Sequence, residues 1–132
     1  MRQKVKLAVL FTLFFTGVAY AQVTVYSLQE LLPYLKRDSV TVKLAPGAYT
    51  ITADGVKNGR FDDQTHIKNT SNVLLLFSGN SSVYDFTDVT INVETKVFSS
   101  FPNDHEFYEI QVIGSHNVLK NLTLVDEGSV YD

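Results

Sequence analysis

Two acidic clusters contain the side chains best suited to holding a cation. Asp104 and Glu106 flank His105 in one polar stretch, and Asp62 and Asp63 lie together in another. Carboxylate oxygens are preferred Ca²⁺ ligands, and neighbouring residues of a loop can converge on one ion. These acidic residues are therefore the candidate metal ligands. Neither cluster has the spacing of an EF-hand, and a solvated surface loop is the alternative interpretation of both.

Other titratable residues suggest proton transfer without defining a site. His116 lies beside a polar corner of the chain, where a histidine can simply hydrogen-bond the turn. Lys120 is placed on a strand and has no partner nearby in the sequence. Asp126 and Glu127 could supply half of a carboxylate pair, but acid–base work on a glycosidic bond needs a defined separation. The sequence therefore identifies no catalytic residue.

The N-terminus has the three parts of a secretory signal peptide. Basic Arg2, Lys4 and Lys6 precede an apolar run, Leu7–Val18, and small residues follow as far as Ala21. The apolar run is shorter than the roughly 20 residues that span a bilayer. We therefore predict a signal peptide over residues 1–21 and one domain over residues 22–132. The protein is expected to be secreted, periplasmic or on the cell surface, with no membrane attachment after the signal is removed.

Charge and cysteine content exclude several function classes. Three of the 11 basic residues lie in the signal and all 14 acidic residues follow it, so the net charge falls from −3 to −6 on its removal. An acidic chain without a basic stripe is unsuited to binding nucleic acid. Because the chain has no cysteine, disulfide scaffolds, cysteine–zinc sites and thiol catalysis are excluded.

One short helix and a series of strands are predicted for the domain. Ser27 and Glu30 have the spacing of a capping box, which starts a helix that ends at Arg37 and is kinked or shortened by Pro33. Beyond it, alternating or continuous apolar residues predict short strands. These strands are centred on residues 40–44, 49–51, 73–77, 89–93, 108–112 and 122–124. Because no crossover helices separate them, the choice is between a sandwich and a solenoid.

An internal repeat favours the solenoid. The stretch ending in Asn72-Val73-Leu74 aligns with the stretch ending in Asn117-Val118-Leu119 at an offset of 45 residues. Each copy has a polar corner that closes on asparagine, which tolerates left-handed geometry and can hydrogen-bond the adjacent turn. The offset predicts two coils, or one coil with insertions at residues 79–85 and 99–106.

Three stretches carry a resemblance to a known superfamily. The chain resembles right-handed parallel β-helix proteins of the pectate lyase-like superfamily in these stretches. They are Ser27–Leu32, Gly114–Leu124, and the strand-turn-strand Val42–Ile51, which contains Leu-Ala-Pro-Gly-Ala-Tyr. The resemblance covers most of residues 27–126. It implies an all-β, right-handed parallel β-helix with a short N-terminal capping helix. Because no polar cap follows Leu124, we expect the chain to be the N-terminal piece of a longer solenoid; a short protein that assembles end to end is the alternative.

The resemblance implies a polysaccharide partner but leaves the reaction open. It favours a lyase on uronic-acid polymers, in which an Arg or Lys removes the proton α to the carboxylate, and Ca²⁺ or basic groups neutralise that carboxylate. A glycoside hydrolase and a non-enzymatic adhesin or carbohydrate-binding protein are the alternatives. In such proteins the groove lies on the central coils, so the catalytic residues are expected beyond Asp132 and remain unknown.

Overall fold

Parallel β-strands dominate the computed structural model, which describes residues 21–57, 71–100 and 106–128. The predicted signal peptide therefore lies almost wholly outside the described residues. In chain order the described elements are β1 (Val23–Val25), α1 (Leu28–Leu31), a 3-10 helix (Leu32–Lys36), β2 (Thr41–Leu44), β3 (Gly47–Ile51), α2 (Ala53–Lys57), β4 (Ser71–Phe77), β5 (Val83–Asp85), β6 (Val89–Glu94), a 3-10 helix (Thr95–Ser100), β7 (Glu106–Val112), β8 (Val118–Lys120) and β9 (Thr123–Glu127).

The described strands form three parallel sheets. Their orders are β1-β2-β5-β8 in sheet A, β3-β6-β9 in sheet B and β4-β7 in sheet C. From β2 onward, each strand pairs in parallel with the strand three places later in the chain. A parallel pair needs a long connection, and here the strands of the other two sheets supply it. The predicted all-β class is confirmed to this extent, and the pairing differs from that of antiparallel sandwiches.

The register of the strands corrects the predicted repeat. Thr41 pairs with Val83, and Val83 pairs with Val118, so the intervals along sheet A are 42 and then 35 residues. Asn117 is consequently level with Ser82, whereas Asn72 is level with Phe107 in sheet C. The 45-residue alignment of the two asparagines was wrong. Residues 79–85, predicted as an insertion, contain a turn and β5.

Left-handed residues recur at the turns that lead into sheet A. Ser39, Ser81 and His116 have φ angles of 53°, 56° and 59° and follow the same intervals as the strands. Next to them, the Asn117 amide joins two turns: its Oδ1 accepts from the Ser82 N–H at 3.0 Å and its Nδ2 donates to the Gly79 carbonyl at 2.7 Å. The predicted hydrogen bonding between turns is confirmed for Asn117, whose partners are Ser82 and Gly79.

The predicted helix is present in two parts. The Glu30 N–H donates to Ser27 Oγ at 3.1 Å, and the Glu30 carboxylate reaches back to the N–H of Tyr26 rather than of Ser27. After one turn the α-helix becomes a 3-10 helix that has Pro33 in its first turn, since proline lacks the N–H of a continuing α-helix. The leucines of both parts are buried in the core: Leu28, Leu31, Leu32 and Leu35.

Strands β4 and β6 have the burial that their patterns predicted. In β4 the consecutive residues Val73, Leu74 and Leu75 are all fully buried, as expected for a strand covered on both faces. In β6 the apolar residues are buried and the intervening Thr90 and Asn92 are half-buried. Strand β7 differs, because Tyr108 and Val112 of its apolar set are exposed.

Four described elements were not predicted from the sequence. They are β1, α2, β5 and the 3-10 helix Thr95–Ser100. Each has six residues or fewer, which is too short for a periodic pattern to stand out. Within the described ranges, no helix is long and apolar enough to cross a membrane.

Candidate functional site

A cleft of about 570 Å³ opens between α2, the 3-10 helix Thr95–Ser100 and the end of β9. Two hydroxyl residues, Thr95 and Ser99, contribute to its wall. Its charged lining residues are Asp54, Lys57, Glu94, Lys96 and Glu127. The volume lies in the range of small-molecule sites, but the lining is far more polar than is usual for drug-like ligands. Such a lining suits a hydroxyl-rich or charged ligand.

Helix α2 is fixed to sheet B by Glu94. The Ala53 N–H at the start of the helix donates to Glu94 Oε2 at 3.0 Å, and the Gly55 N–H donates to Thr52 Oγ1 at 2.9 Å. A carboxylate at this end satisfies N–H groups that have no partner within the helix. Ala53 and Val56 are buried, while Asp54 and Lys57 are exposed on the cleft side. By holding the start of α2, Glu94 fixes the position of this helix and of Lys57 at the cleft wall.

The opposite wall is fixed by Val97 and Thr95. Val97 is fully buried and anchors the 3-10 helix, which leaves Lys96 and Ser99 exposed at the cleft. Thr95 Oγ1 donates to the Glu127 carbonyl at 2.9 Å, so this helix also contacts the end of β9. The site therefore depends on the packing of segments more than 30 residues apart in the sequence.

Glu94 and Glu127 are direct partners across the β6–β9 ladder. Adjacent strands lie about 4.8 Å apart, so the two carboxylates start from neighbouring backbone positions. One is hydrogen-bonded to α2 and half-buried, while the other is exposed. The cleft thus combines two acidic residues on neighbouring strands with Lys57 and Lys96, a set of charges that suits a polar or charged ligand.

Of the four predicted metal ligands, Glu106 alone lies within the described residues. Asp62, Asp63 and Asp104 lie outside them, as does His105. Glu106 begins β7, is exposed, and accepts a hydrogen bond from the Tyr108 hydroxyl at 2.8 Å. In the described part of the chain, no group of three or more acidic, histidine or cysteine side chains could hold a metal ion. The Ca²⁺ site that the resemblance implies stays a prediction, because three of its four candidate ligands lie outside the described residues.

Lys120 lies in a charged row on sheet A, away from the cleft. It pairs with Asp85, which pairs in turn with Lys43. The pKa of Asp85 is lowered, first by hydrogen bonds from the Thr87 hydroxyl and N–H and then by the two lysines. His116 is an exposed residue of a left-handed turn, so its position agrees with the structural interpretation of this histidine.

A second carboxyl pair joins β7 to β9. The Glu109 and Asp126 side chains share a hydrogen bond, and burial, this bond and the charge of Asp126 raise the pKa of Glu109 to about 7. In sheet B, Ile51 pairs with Val93, and Val93 pairs with Asp126. Ile51 and Val93 are both fully buried. The pair thus occupies positions that are apolar in the preceding strands. It contributes a titration near neutral pH and is separate from the cleft residues.

Glu127 was a candidate carboxylate in the sequence, but the other cleft residues escaped sequence reasoning because the cleft is built from four short segments. The Thr52 hydroxyl, which caps α2, was the signal that could have located that helix. Comparison with known proteins adds no further assignment, since no family model matches the chain and no curated protein matches it.

Proposed function

We propose that this protein is an exported right-handed parallel β-helix that cleaves a uronic-acid polysaccharide by β-elimination. The recurrence of every third strand in the same parallel sheet supports a solenoid, because each pass through the three sheets adds one strand to each. Parallel crossovers are overwhelmingly right-handed, which supports that hand. The basic, apolar and small-residue parts of residues 1–21 support export.

The N-terminal helical segment is proposed to cap the solenoid. Its buried leucines pack into the core, and the N–H groups of Ser78 and Gly79 after β4 both donate to the Leu35 carbonyl at 3.0 Å. The 3-10 helix thereby takes the place of a neighbouring strand beside this end of β4. A cap of this kind protects an otherwise open sheet edge.

The presence of two lysines and three acidic residues in the lining of one cleft is the observation that carries the proposed reaction. One ammonium, on Lys57 or Lys96, neutralises the uronate carboxylate and so acidifies the adjacent C5–H. The other lysine acts as the base and takes that proton on Nζ. The C5 electron pair forms the C4–C5 double bond, the bond from C4 to the glycosidic oxygen breaks, and the departing oxygen takes a proton from water to leave as a hydroxyl group. Both lysines line the cleft, and no step passes through a metal ion.

Steady-state kinetics on soluble uronans test this proposal. The purified protein is expected to generate products that absorb as unsaturated uronates. Lys57→Ala and Lys96→Ala should each lower kcat/KM, the base variant through kcat by roughly 10²- to 10⁴-fold and the carboxylate-binding variant largely through KM. Lys120→Ala on sheet A is the matched control and should leave both parameters unchanged. The proposal would be overturned if Lys120→Ala lost activity while the two cleft variants kept it. It would also be overturned if no uronan gave an unsaturated product.

A glycoside hydrolase is the second candidate, and the register of Glu94 and Glu127 favours it. Retaining glycosidases hold their two carboxyl groups about 5 Å apart, which cross-strand neighbours can achieve. Hydrolysis would release reducing ends without unsaturated products, and Glu127→Gln would abolish it. Binding of a polymer with neither product would contradict both reactions and support a non-enzymatic carbohydrate-binding protein.

A further inference from the structure

We infer that Gln22 becomes the N-terminus of the exported protein and cyclises to pyroglutamate. The inference rests on the export step of the proposed function and on the position of the cleavage site. Small residues at Ala19 and Ala21 stand third from last and last in the predicted signal, the positions that signal peptidases require to be small. Cleavage after Ala21 leaves the α-amino group on Gln22.

Gln22 lies just outside the described sheet. Gln22 is exposed, and the β1–β2 ladder begins one residue later, with Val23 paired to Val42. Among the residues that the structure describes, none hydrogen-bonds the Gln22 side chain. The amide and the new α-amine therefore belong to a residue that neither the sheet nor the core restrains.

The reaction takes place within this single residue. The α-amino nitrogen attacks Cδ of the side-chain amide, and a C–N bond closes a five-membered lactam. The bond from Cδ to the side-chain nitrogen breaks, and this nitrogen leaves as ammonia with a proton from the attacking amine. An α-amine has a pKa of about 7.7–8.0, so a substantial fraction is neutral and nucleophilic near neutral pH. No oxidant, reductant or other reactant is consumed.

Cyclisation does not disturb the sheet but changes the chain end. The carbonyl of residue 22 and the N–H of Val23 keep their peptide bond, so the β1 register is retained. The positive charge of the α-ammonium group is lost, and aminopeptidases no longer find a free amine. This matters for β1 because it has only three residues, pairs in the described sheet with β2 alone, and contributes buried Val25 to the core. The lactam therefore protects a strand that a few cycles of trimming would remove.

Intact mass spectrometry and N-terminal sequencing of the exported protein test the inference. The chain is expressed with its signal in an exporting host and collected in acid to stop further reaction. The mature mass should be that of the chain from Gln22 less one ammonia. Edman degradation should be blocked, and treatment with pyroglutamyl aminopeptidase should expose Val23. Aminopeptidase should not shorten the untreated protein.

Two variants test whether the lost ammonia comes from Gln22 or from another glutamine. Gln22→Ala should be exported and cut at the same bond, give a readable N-terminus and become sensitive to aminopeptidase. Gln29→Ala, an exposed glutamine within α1, should still lose one ammonia. A mature chain that begins elsewhere, or that retains the full Gln22 mass and a free amine, would overturn the inference. Because these readouts use no polysaccharide, they are independent of the elimination assay.

Discussion

Gly114 packs directly against the carbonyl oxygen of Gly79 in the preceding turn. A methyl group on Gly114 would overlap this backbone oxygen, and Gly79 itself is closely stacked on the Arg37 carbonyl. Successive turns of the chain therefore meet through main-chain atoms at this corner. The contact fixes the 35-residue interval between β5 and β8, the third and fourth strands of sheet A, because any other register would separate the two glycines.

Gly114→Ala is expected to destabilise the protein by about 1–3 kcal/mol or more, since the added methyl group must push two backbones apart. Urea unfolding followed by circular dichroism measures the change. Ser115→Ala, at the adjacent exposed position, loses the hydrogen bond from its hydroxyl to Asn80 Oδ1 but keeps the one from its backbone N–H, adds no bulk and should cost less. An unchanged midpoint for Gly114→Ala would contradict the register.

Asn117→Ala should cost about 1–3 kcal/mol, because it leaves the N–H of fully buried Ser82 without its acceptor. The same denaturation experiment applies. His116→Asn is the matched control: asparagine tolerates the positive φ of that residue, so stability should be retained. Equal losses for the two variants would show that Asn117 has no special part in joining the turns.

Stability should fall as the pH rises from about 4.5 to 7. The folded-state pKa of Glu109 is raised from 4.5 to about 7, so the folded protein holds this proton more tightly than the unfolded chain. The stabilisation is complete below the unfolded-state pKa and is lost as the pH rises through the folded-state value. Urea midpoints measured across this range should show the decrease.

Variants of the carboxyl pair identify the origin of this pH dependence. Glu109→Gln should flatten the profile, because the side chain stays neutral at every pH. Asp126→Asn should reduce the slope without abolishing it, since burial is the largest cause of the shift and the partner's hydrogen bond and charge come second. A profile that keeps its full slope in Glu109→Gln would contradict the assignment.

Local signals in the sequence predicted individual elements better than their arrangement. The spacing of Ser27 and Glu30 correctly placed the start of the helix, because capping is decided within four residues. The apolar run of β4 correctly indicated burial on both faces. The repeat was misaligned because asparagine suits turns and strand starts alike, and the residues that follow Asn72 and Asn117 are similarly apolar. Only the pairing of strands distinguishes the two positions.

The cleft could not be predicted for a related reason. Lys57 and Lys96 are 39 positions apart, and nothing in either local sequence indicates that α2 packs near the second 3-10 helix. Glu94 has the alternating position of an ordinary strand residue, and its bond to the Ala53 N–H exists only in the folded chain. The sequence directed attention to catalytic residues beyond Asp132, whereas the proposed reaction uses residues within the described chain.

The mass of the oligosaccharides released from a uronan tests the central claim most directly. Elimination leaves an unsaturated sugar at the new non-reducing end, so each such product is lighter by one water than the corresponding hydrolysis product. We expect this lighter series from the parent protein, and its loss in Lys57→Ala and Lys96→Ala. A series with the mass of saturated oligosaccharides would contradict β-elimination and identify a hydrolase.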